Sequence, residues 1–463
     1  MIVMKFGGTS VEDARAIDRV SEIVRGRAPE RPVVVVSAMA KITDQLQTMG
    51  RAAGAGDLES ALKLVEALRE RHLVAASELL SAEQLQQLRP SLEDHFDHLQ
   101  RLLRGIAALG ELSPRTMDNV LSFGERLSSM IVSAAFAARK MNSVLVDARQ
   151  CIVTDSQHTQ AVPQFEITNE RTVAKLVPLL NAGHIPVMGG FIAATKDGIT
   201  TTIGRGGSDF SAAIIGAALG AERIEIWTDV DGMKTTDPNL CPDAVRLEEV
   251  SFDEAAEMAY FGAKVLHPAT LLPAMEKNIP VYVLNSRNPQ SKGTCIRAHV
   301  TNHVRKFKAI AVKKGISIIS VTAGHMLEAH GFLHDVFQVF KKHHVAVDLV
   351  STSEVSVSLT VDAKGDIAAL VADLRNVADV ELERDKAIVC VLHSLRGIPG
   401  TLAKVFAAIG DINVRMVSQG ASEINISFVI EEKDVPECVR RLHSLVVKEA
   451  SARAVPNPAM VGA

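Results

Sequence analysis

Residues 2–37 read IVMKFGGTSVEDARAIDRVSEIVRGRAPERPVVVVS, and their pattern decides the fold. Ile2–Phe6 is a short apolar strand and Gly7-Gly8-Thr9-Ser10 a turn. Val11–Arg25 carries apolar residues at helical spacing, and Pro32–Ser37 is an unbroken apolar run. A run with no polar alternation marks a strand buried on both faces of a parallel sheet. Strand, helix, strand and helix therefore occupy residues 1–53. Further apolar strands are expected at Ser143–Asp147, Ile185–Met188, Arg223–Thr228 and Val281–Asn285, with helices between. That alternation predicts a layered α/β domain over residues 1–300. Residues 57–105 are almost free of Gly and rich in Leu, Glu, Gln, Ala and Arg, so they read as a helical insert of long helices.

Beyond residue 300 the chain repeats itself. GFLHDVFQVFKKHHVAVDLVSTSEVSVSL (331–359) echoes GTLAKVFAAIGDINVRMVSQGASEINISF (400–428). Apolar strands, Ile316–Val321 and Ala387–His393, precede the two copies. Each copy then reads as helix, strand, strand, which gives ferredoxin-like βαββαβ modules over 316–385 and 386–463. The basic stretch His303–Gly315 reads as a solvated linker, with 301–315 joining the parts. A duplicated small module behind a large α/β domain suggests sensing; modules used only for dimerisation are the alternative.

Composition narrows the function. Of 463 residues, 47% are apolar and 22% charged, with net charge −4. These values are ordinary for a globular protein and exclude extensive disorder. The charge lacks a basic nucleic-acid footprint, and 15 Phe, 2 Tyr and 1 Trp leave few rings for stacking on bases. The apolar stretch Phe210–Ala221 is too short to span a bilayer, and the first residues lack a signal-peptide layout. The five cysteines include no CxxC and the histidines no HExxH. Adjacent His343 and His344 point apart in a regular element. No metal site is expected, and a cytoplasmic location is the default.

Two glycine-rich turns carry the chemistry. Lys5-Phe6-Gly7-Gly8-Thr9-Ser10 sets a cation at a strand end before a helix start, where free N–H groups favour an anion. Thr9 and Glu12 also fit a capping box. Gly204-Arg205-Gly206-Gly207-Ser208-Asp209 precedes a helix expected over Phe210–Leu219, with Ser208 and Asp209 at capping positions. Capping alone needs neither Arg205, whose planar fork suits a carboxylate or phosphate, nor three glycines. Phe123-Gly124-Glu125-Arg126 is read as opening another helix. Thr228-Asp229-Val230-Asp231-Gly232 follows a strand, and Gly262-Ala263-Lys264 brings a second lysine beside a glycine. Neither Walker A nor a GxGxxG after a strand occurs. Several cations with glycine-rich helix starts suit phosphoryl transfer, which rests on positioning and charge stabilisation.

The sequence resembles the aspartate kinases of the amino-acid-kinase family. KFGGTS (5–10), SFGERLSS (122–129), GRGGSDFSAA (204–213), TDVDGMKTTDP (228–238) and FGAKVLHP (261–268) stand in the family's order. The C-terminal repeat resembles its paired ACT domains, and the insert that of the single-polypeptide, lysine-sensitive type. The implied fold is a three-layer αβα kinase domain with a helical insert, followed by two ACT modules. The implied reaction passes the γ-phosphoryl of ATP, with Mg2+, to the β-carboxylate of L-aspartate.

By this resemblance Lys5 stabilises the moving phosphoryl group, Gly7 and Gly8 cradle it, and Asp209 orients the lysines. Arg205 and Ser208 take the α-carboxylate of aspartate and Glu125 its ammonium; Ser37, Thr43 and Phe191 line the same pocket. Thr228, Asp229 and Lys264 hold the nucleotide. Two positions depart from the family pattern: Lys234 replaces an aromatic or apolar residue, and Asn239 an arginine. Met326, Gly331, Phe332, Leu333, Val347, Asp348, Ser353 and Glu354 are the implied effector residues, with lysine the favoured effector and threonine second. A homodimer or dimer of dimers is implied. The rivals are another amino-acid kinase of the family and a non-catalytic ACT sensor. With the second module closing near Ala463, a fused homoserine dehydrogenase is not expected.

Overall fold

The computed structural model describes residues 1–262, 268–300, 307–322, 331–363, 367–393, 400–420 and 422–451. Contacts divide the chain into two units. The first holds residues 1–233, 248–252 and 265–300, and the second 234–247, 253–264 and 301–463. The division departs from the expected boundary near 300, because residues 234–247 and 253–264 fold with the C-terminal part.

The first unit is built on strands β1 (Ile2–Phe6), β2 (Pro32–Val36), β3 (Ser143–Val146), β4 (Val153–Thr154), β5 (Ile185–Gly189), β6 (Ile192–Thr195), β7 (Thr200–Thr202), β8 (Ile224–Thr228), β9 (Glu249–Ser251), β10 (Val281–Asn285) and β11 (Thr294–Arg297). Eight of them form a sheet in the order β3-β5-β2-β1-β8-β10-β11-β9, parallel except for the β10–β11 pair. β4, β6 and β7 form a small second sheet. Every residue of β1 and β2 is buried, as the unbroken apolar runs require.

The helices are α1 (Ala14–Arg27), α2 (Ile42–Gly54), α3 (Leu58–Leu79), α4 (Ala82–Leu109), α5 (Pro114–Ala138), α6 (Phe165–Asn181) and α7 (Gly207–Leu219). Ile2, Met4 and Phe6 of β1 share one core with Ile17 and Val20 of α1, Phe96 of α4 and Phe123 of α5. The alternate residue Val3 falls on the opposite face, and α7 packs on β1 and β2. The insert is as expected: α3 starts at the Asp57 cap, and Ser81 with Gln84 forms a full capping box for α4.

Two local expectations change. Thr9 and Glu12 do not make a capping box. Gly8–Ser10 is a single 3-10 turn, and α1 starts at Asp13, whose carboxylate accepts from the Ala16 N–H. Phe123-Gly124-Glu125-Arg126 does not open a helix but sits inside α5, which is capped by Ser113 with Pro114 in its first turn. Gly124 is there for packing, since a Cβ would lie 2.8 Å from that of Ala38. α5 is also longer than the Phe210–Ala221 segment and apolar enough to cross a membrane by composition, yet 78% of its apolar window is buried in the protein.

The second unit contains α8 (Phe252–Tyr260, of which 253–260 belong here); α9 (Leu272–Glu276) lies in the first. Its sheet is made of β12 (Phe307–Thr322), β13 (Val347–Thr352), β14 (Ser356–Asp362), β15 (Asp379–His393), β16 (Met416–Ser418) and β17 (Asn425–Glu431). The order is β13-β14-β12-β15-β17-β16. α10 (Phe332–Lys342) and α11 (Ile367–Leu374) cover one core with Ile319, Val321 and Leu359. α12 (Thr401–Ile409) and α13 (Val435–Ser451) cover another with Phe307, Ile310, Val389 and Phe428.

The expected linker is therefore half strand. Phe307–Lys313 pairs with Ile388–His393 and buries Phe307, Ala309 and Ile310. The lysines flanking this apolar run disguised it as a solvated stretch. The two modules are consequently interleaved: the front of β12 serves the second core and its back, from Ile319, the first.

Candidate active site

The strand order places β1 between β2 and β8, so the connections leave in opposite directions at this point. In open α/β sheets the crevice at the carboxyl ends of such strands is the ligand site. A cavity of about 400 Å³ lies there, lined by Lys5, Gly8, residues 37–41, Thr43, Asp44, Glu125, Phe191 and residues 204–209.

Lys5 is the fourth residue of β1 and only 8% exposed. Its ammonium forms an ion pair of 2.7 Å with Asp209 in the first turn of α7. That turn is capped by Gly206 at φ 73°, and neither Ser208 nor Asp209 caps it with its side chain, contrary to expectation. Gly207 closes the bend, because a Cβ would lie 2.6 Å from the Phe191 ring. Gly8 is equally confined: a Cβ would sit 2.9 Å from the Ala38 carbonyl oxygen. Its own carbonyl accepts from the Ala40 N–H at 3.1 Å. The turn after β1 and the turn after β2 are thereby locked together.

Glu125 projects from the middle of α5 and is 3% exposed. Oε1 accepts from the Ala38 N–H at 3.1 Å, whereas Oε2 is buried with no partner among the described residues. Burial raises this carboxyl to about 8, so it keeps its proton near neutrality. Arg205 is exposed, and among the described residues no carboxylate pairs with it. Phe191 holds φ 64° at the pocket wall and returns its N–H to Ser211.

Of the expected substrate residues, Ser37, Thr43, Glu125, Phe191, Arg205 and Ser208 all line this one cavity with Lys5, Gly8 and Asp209. Gly7 lies beside them, donating its N–H to Trp227 O. Thr228 ends β8 and Asp229 follows it, and Ser286 donates to the Thr228 carbonyl. The neighbouring Asp231 accepts from Asn285. Lys264 and Met326 lie outside the described residues. Lys41 was not foreseen. It lines the pocket at φ 68°, at the start of α2, and adds a cation. The signal was available, since Ser37–Asp44 directly follows a buried strand at the switch point.

In the second unit Gly331, at φ 97°, Phe332 and Leu333 begin α10, and Val347 and Asp348 lie on the edge strand β13. Ser353 and Glu354 occupy the turn between β13 and β14. The Asp348 carboxylate is already engaged. Lys313 Nζ approaches its oxygens at 2.7 and 2.8 Å, and the Tyr260 hydroxyl donates at 2.7 Å. The Lys234 backbone pairs antiparallel with that of Arg246, and Asn239 donates to the Asp237 carboxylate.

Comparison with known proteins places the chain. A model described as the amino acid kinase family matches residues 1–285, and one described as an ACT domain matches 388–445. The lysine-sensitive aspartokinase 3 of Escherichia coli (strain K12) is 35% identical over 458 residues, which cover 96% of this chain and 98% of the relative. Aspartokinase 2, chloroplastic, of Arabidopsis thaliana is 36% identical, over 96% of this chain and 83% of the relative. The crystal structure of E. coli aspartokinase III in complex with aspartate and ADP (R-state) has a TM-score of 0.84 at 35% identity, over 96% of this chain and 100% of that one. The T-state complex of the same enzyme with lysine and aspartate gives 0.83, again at 35% identity, over 96% and 99%. The chain belongs to the amino acid kinase family and, within it, to the aspartokinases.

Proposed function

We propose that this kinase transfers the γ-phosphoryl group of MgATP to the β-carboxylate of L-aspartate, giving MgADP and 4-phospho-L-aspartate. The observation that carries the reading is Glu125, whose buried Oε2 has no partner among the described residues and which lines the same cavity as Arg205. A carboxyl that ionises as an ammonium arrives, in one cavity with a guanidinium, is the complement of an amino acid's ammonium and α-carboxylate.

A β-carboxylate oxygen attacks the γ-phosphorus, and the bond to the bridging oxygen of ADP breaks. The attacking carboxylate, with an ordinary pKa of about 3.9, is already ionised, so no base is needed. The difficulty is bringing two anions together. Lys5 neutralises the moving phosphoryl oxygens, and Asp209 holds Lys5 in place through the 2.7 Å pair. Gly7 and Gly8 let the backbone approach the phosphates. Arg205 and Ser208 take the α-carboxylate, Glu125 takes the ammonium, and Ser37, Thr43 and Phe191 shape the remaining wall. Thr228, Asp229 and Lys264 hold the nucleotide. Magnesium arrives with ATP, held chiefly by phosphates and waters.

The product feeds the synthesis of lysine, threonine, methionine and diaminopimelate in the cytoplasm. Lysine feeds back through the ACT modules, with threonine the second candidate. The effector residues are Met326, Gly331, Phe332, Leu333, Val347, Asp348, Ser353 and Glu354. The lysine-sensitive relative and the lysine-bound neighbour support this choice. The working state is a homodimer or a dimer of dimers. The test traps acyl phosphate as hydroxamate with MgATP and aspartate, with and without each effector. Aspartate-dependent product that falls with lysine supports both parts. Product insensitive to lysine removes the effector assignment, and no product from folded, ATP-binding protein removes the reaction.

A further inference from the structure

Asp118 is fully buried, yet it lies outside the cavity. Its carboxylate is saturated with donors. The Thr159 N–H reaches both oxygens at 3.0 and 3.1 Å, His158 Nδ1 lies at 2.7 Å, and the Thr202 hydroxyl donates at 2.5 Å. These donors come from two separate pieces of chain, the loop after β4 and the end of β7. Burying a carboxylate is costly unless such bonds offset it, so the site is built around this group.

What the carboxylate holds is the approach to Arg205. Thr202 stands three residues before it. The same loop donates Ala161 N–H to Thr202 O, and Thr159 O with Gln160 packs on Gly204, where a Cβ would lie 3.6–3.7 Å away. Thr159 is itself strained. It is β-branched and sits at φ 71°, a conformation that costs such residues on the order of 1–3 kcal/mol unless the surroundings impose it. The bond from its N–H to Asp118 is what imposes it.

Asp118 and Glu125 are two helical turns apart on α5, so they share one face of that helix. We infer that Asp118 is a positioning residue for aspartate recognition: it fixes the Arg205 turn against the helix that carries Glu125. One rigid helix thus sets the span between the acceptor for the substrate ammonium and the donor for its α-carboxylate. The inference rests on reading the cavity as the aspartate site. The nucleotide side, at Thr228 and Asp229, receives nothing from Asp118.

The experiment is steady-state kinetics on Asp118→Asn, varying aspartate and MgATP separately, with melting temperature measured in parallel. The wild-type protein run first tests the reaction itself; absence of aspartate-dependent turnover there refutes the functional reading rather than this one. The expected result is a rise in KM for aspartate of roughly tenfold or more, with KM for ATP within about twofold and kcat within about threefold. That split marks lost substrate positioning rather than a weakened fold. Adding Thr159→Gly, which tolerates the positive φ without help, is expected to restore part of the aspartate affinity. If Asp118→Asn does not fold, Thr202→Val and His158→Asn should each show the same aspartate-only pattern at roughly threefold. Equal changes in both KM values, unchanged kinetics with a lowered melting temperature, or no recovery in the double variant would overturn the inference.

Discussion

Glu125 in the kinase cavity is proposed to take the substrate's ammonium, and Asp348 on the edge strand of the C-terminal sheet is proposed to take the amine of an effector, yet their surroundings differ. Among the described residues Glu125 has one oxygen on the Ala38 N–H and the other on nothing, while Asp348 has both oxygens on Lys313 and one also on Tyr260. A ligand at Glu125 completes the site. A ligand at Asp348 must displace or share a cation already in place. The catalytic pocket has its desolvation cost built in before substrate arrives. The regulatory cluster has a resident competitor, which weakens effector binding by the fraction of time the carboxylate is taken.

The largest effect that can probe this contrast lies at Lys5. Lys5→Ala is expected to lower kcat by about a thousandfold or more while circular dichroism and melting remain close to wild type, because it removes charge needed only when the phosphoryl group moves. Activity within tenfold of wild type would detach the catalytic role from this residue.

Glu125→Gln comes next. It should raise KM for aspartate on the order of a hundredfold, since it leaves the substrate ammonium with a neutral partner. It should also stabilise the ligand-free protein at high pH. The folded carboxyl titrates at about 8, above the unfolded value of 4.5. Its contribution to stability is therefore complete below about 4.5 and is lost as pH rises through 8. Gln carries no such loss, so a melting curve unchanged between variant and wild type at pH 8 would contradict the buried, unpaired carboxylate. The same shift sets the substrate's pH dependence. Aspartate takes the ionised form, so its affinity should fall by up to about tenfold per unit as pH drops below 8. Calorimetry at pH 7 in buffers of different ionisation enthalpy should report proton release, and Glu125→Gln should abolish it.

A smaller effect tests the other carboxylate. Lys313→Met leaves Asp348, among the described residues, with Tyr260 alone and should tighten lysine binding by roughly three- to tenfold, seen as inhibition at lower concentration. Weaker inhibition would mean that Lys313 supports the effector rather than competing with it. The smallest is a control outside both regions: Asp13→Ala should cost about 1 kcal/mol through the α1 cap and leave both affinities unchanged.

How far the sequence revealed these features depends on the range of the forces that make them. The strand β1 and the glycine turns were legible because local pattern carries them, and the family resemblance named Ser37, Thr43, Glu125, Phe191, Arg205, Ser208 and Asp209, which line one cavity. The position of Glu125 on its helix was not. Gly124 looks like a helix breaker until Ala38 is seen pressing on it from 86 residues away. Thr9 and Asp13 compete to start α1, and the 3-10 turn that favours Asp13 is set by Gly7 and Gly8 contacts with distant strands. Asp118 carried no local signature, since its four bonds come from residues 40 and more positions away. The linker reading failed at Phe307–Lys313 because its partner strand lies after the whole first module.

That distant partnership has a consequence for how the chain is made. Ile310 pairs with Val391, so the front of β12 leaves the ribosome well before the strand that will cover it. At roughly 5–20 residues per second the delay lasts several seconds. Through that interval the buried positions Phe307, Ala309 and Ile310 belong to a naked strand edge, the kind of surface on which nascent chains stick to one another. Yield in a cell should therefore fall with growth temperature and recover when translation is slowed or chaperones are supplied, even for variants whose finished fold is as stable as the original.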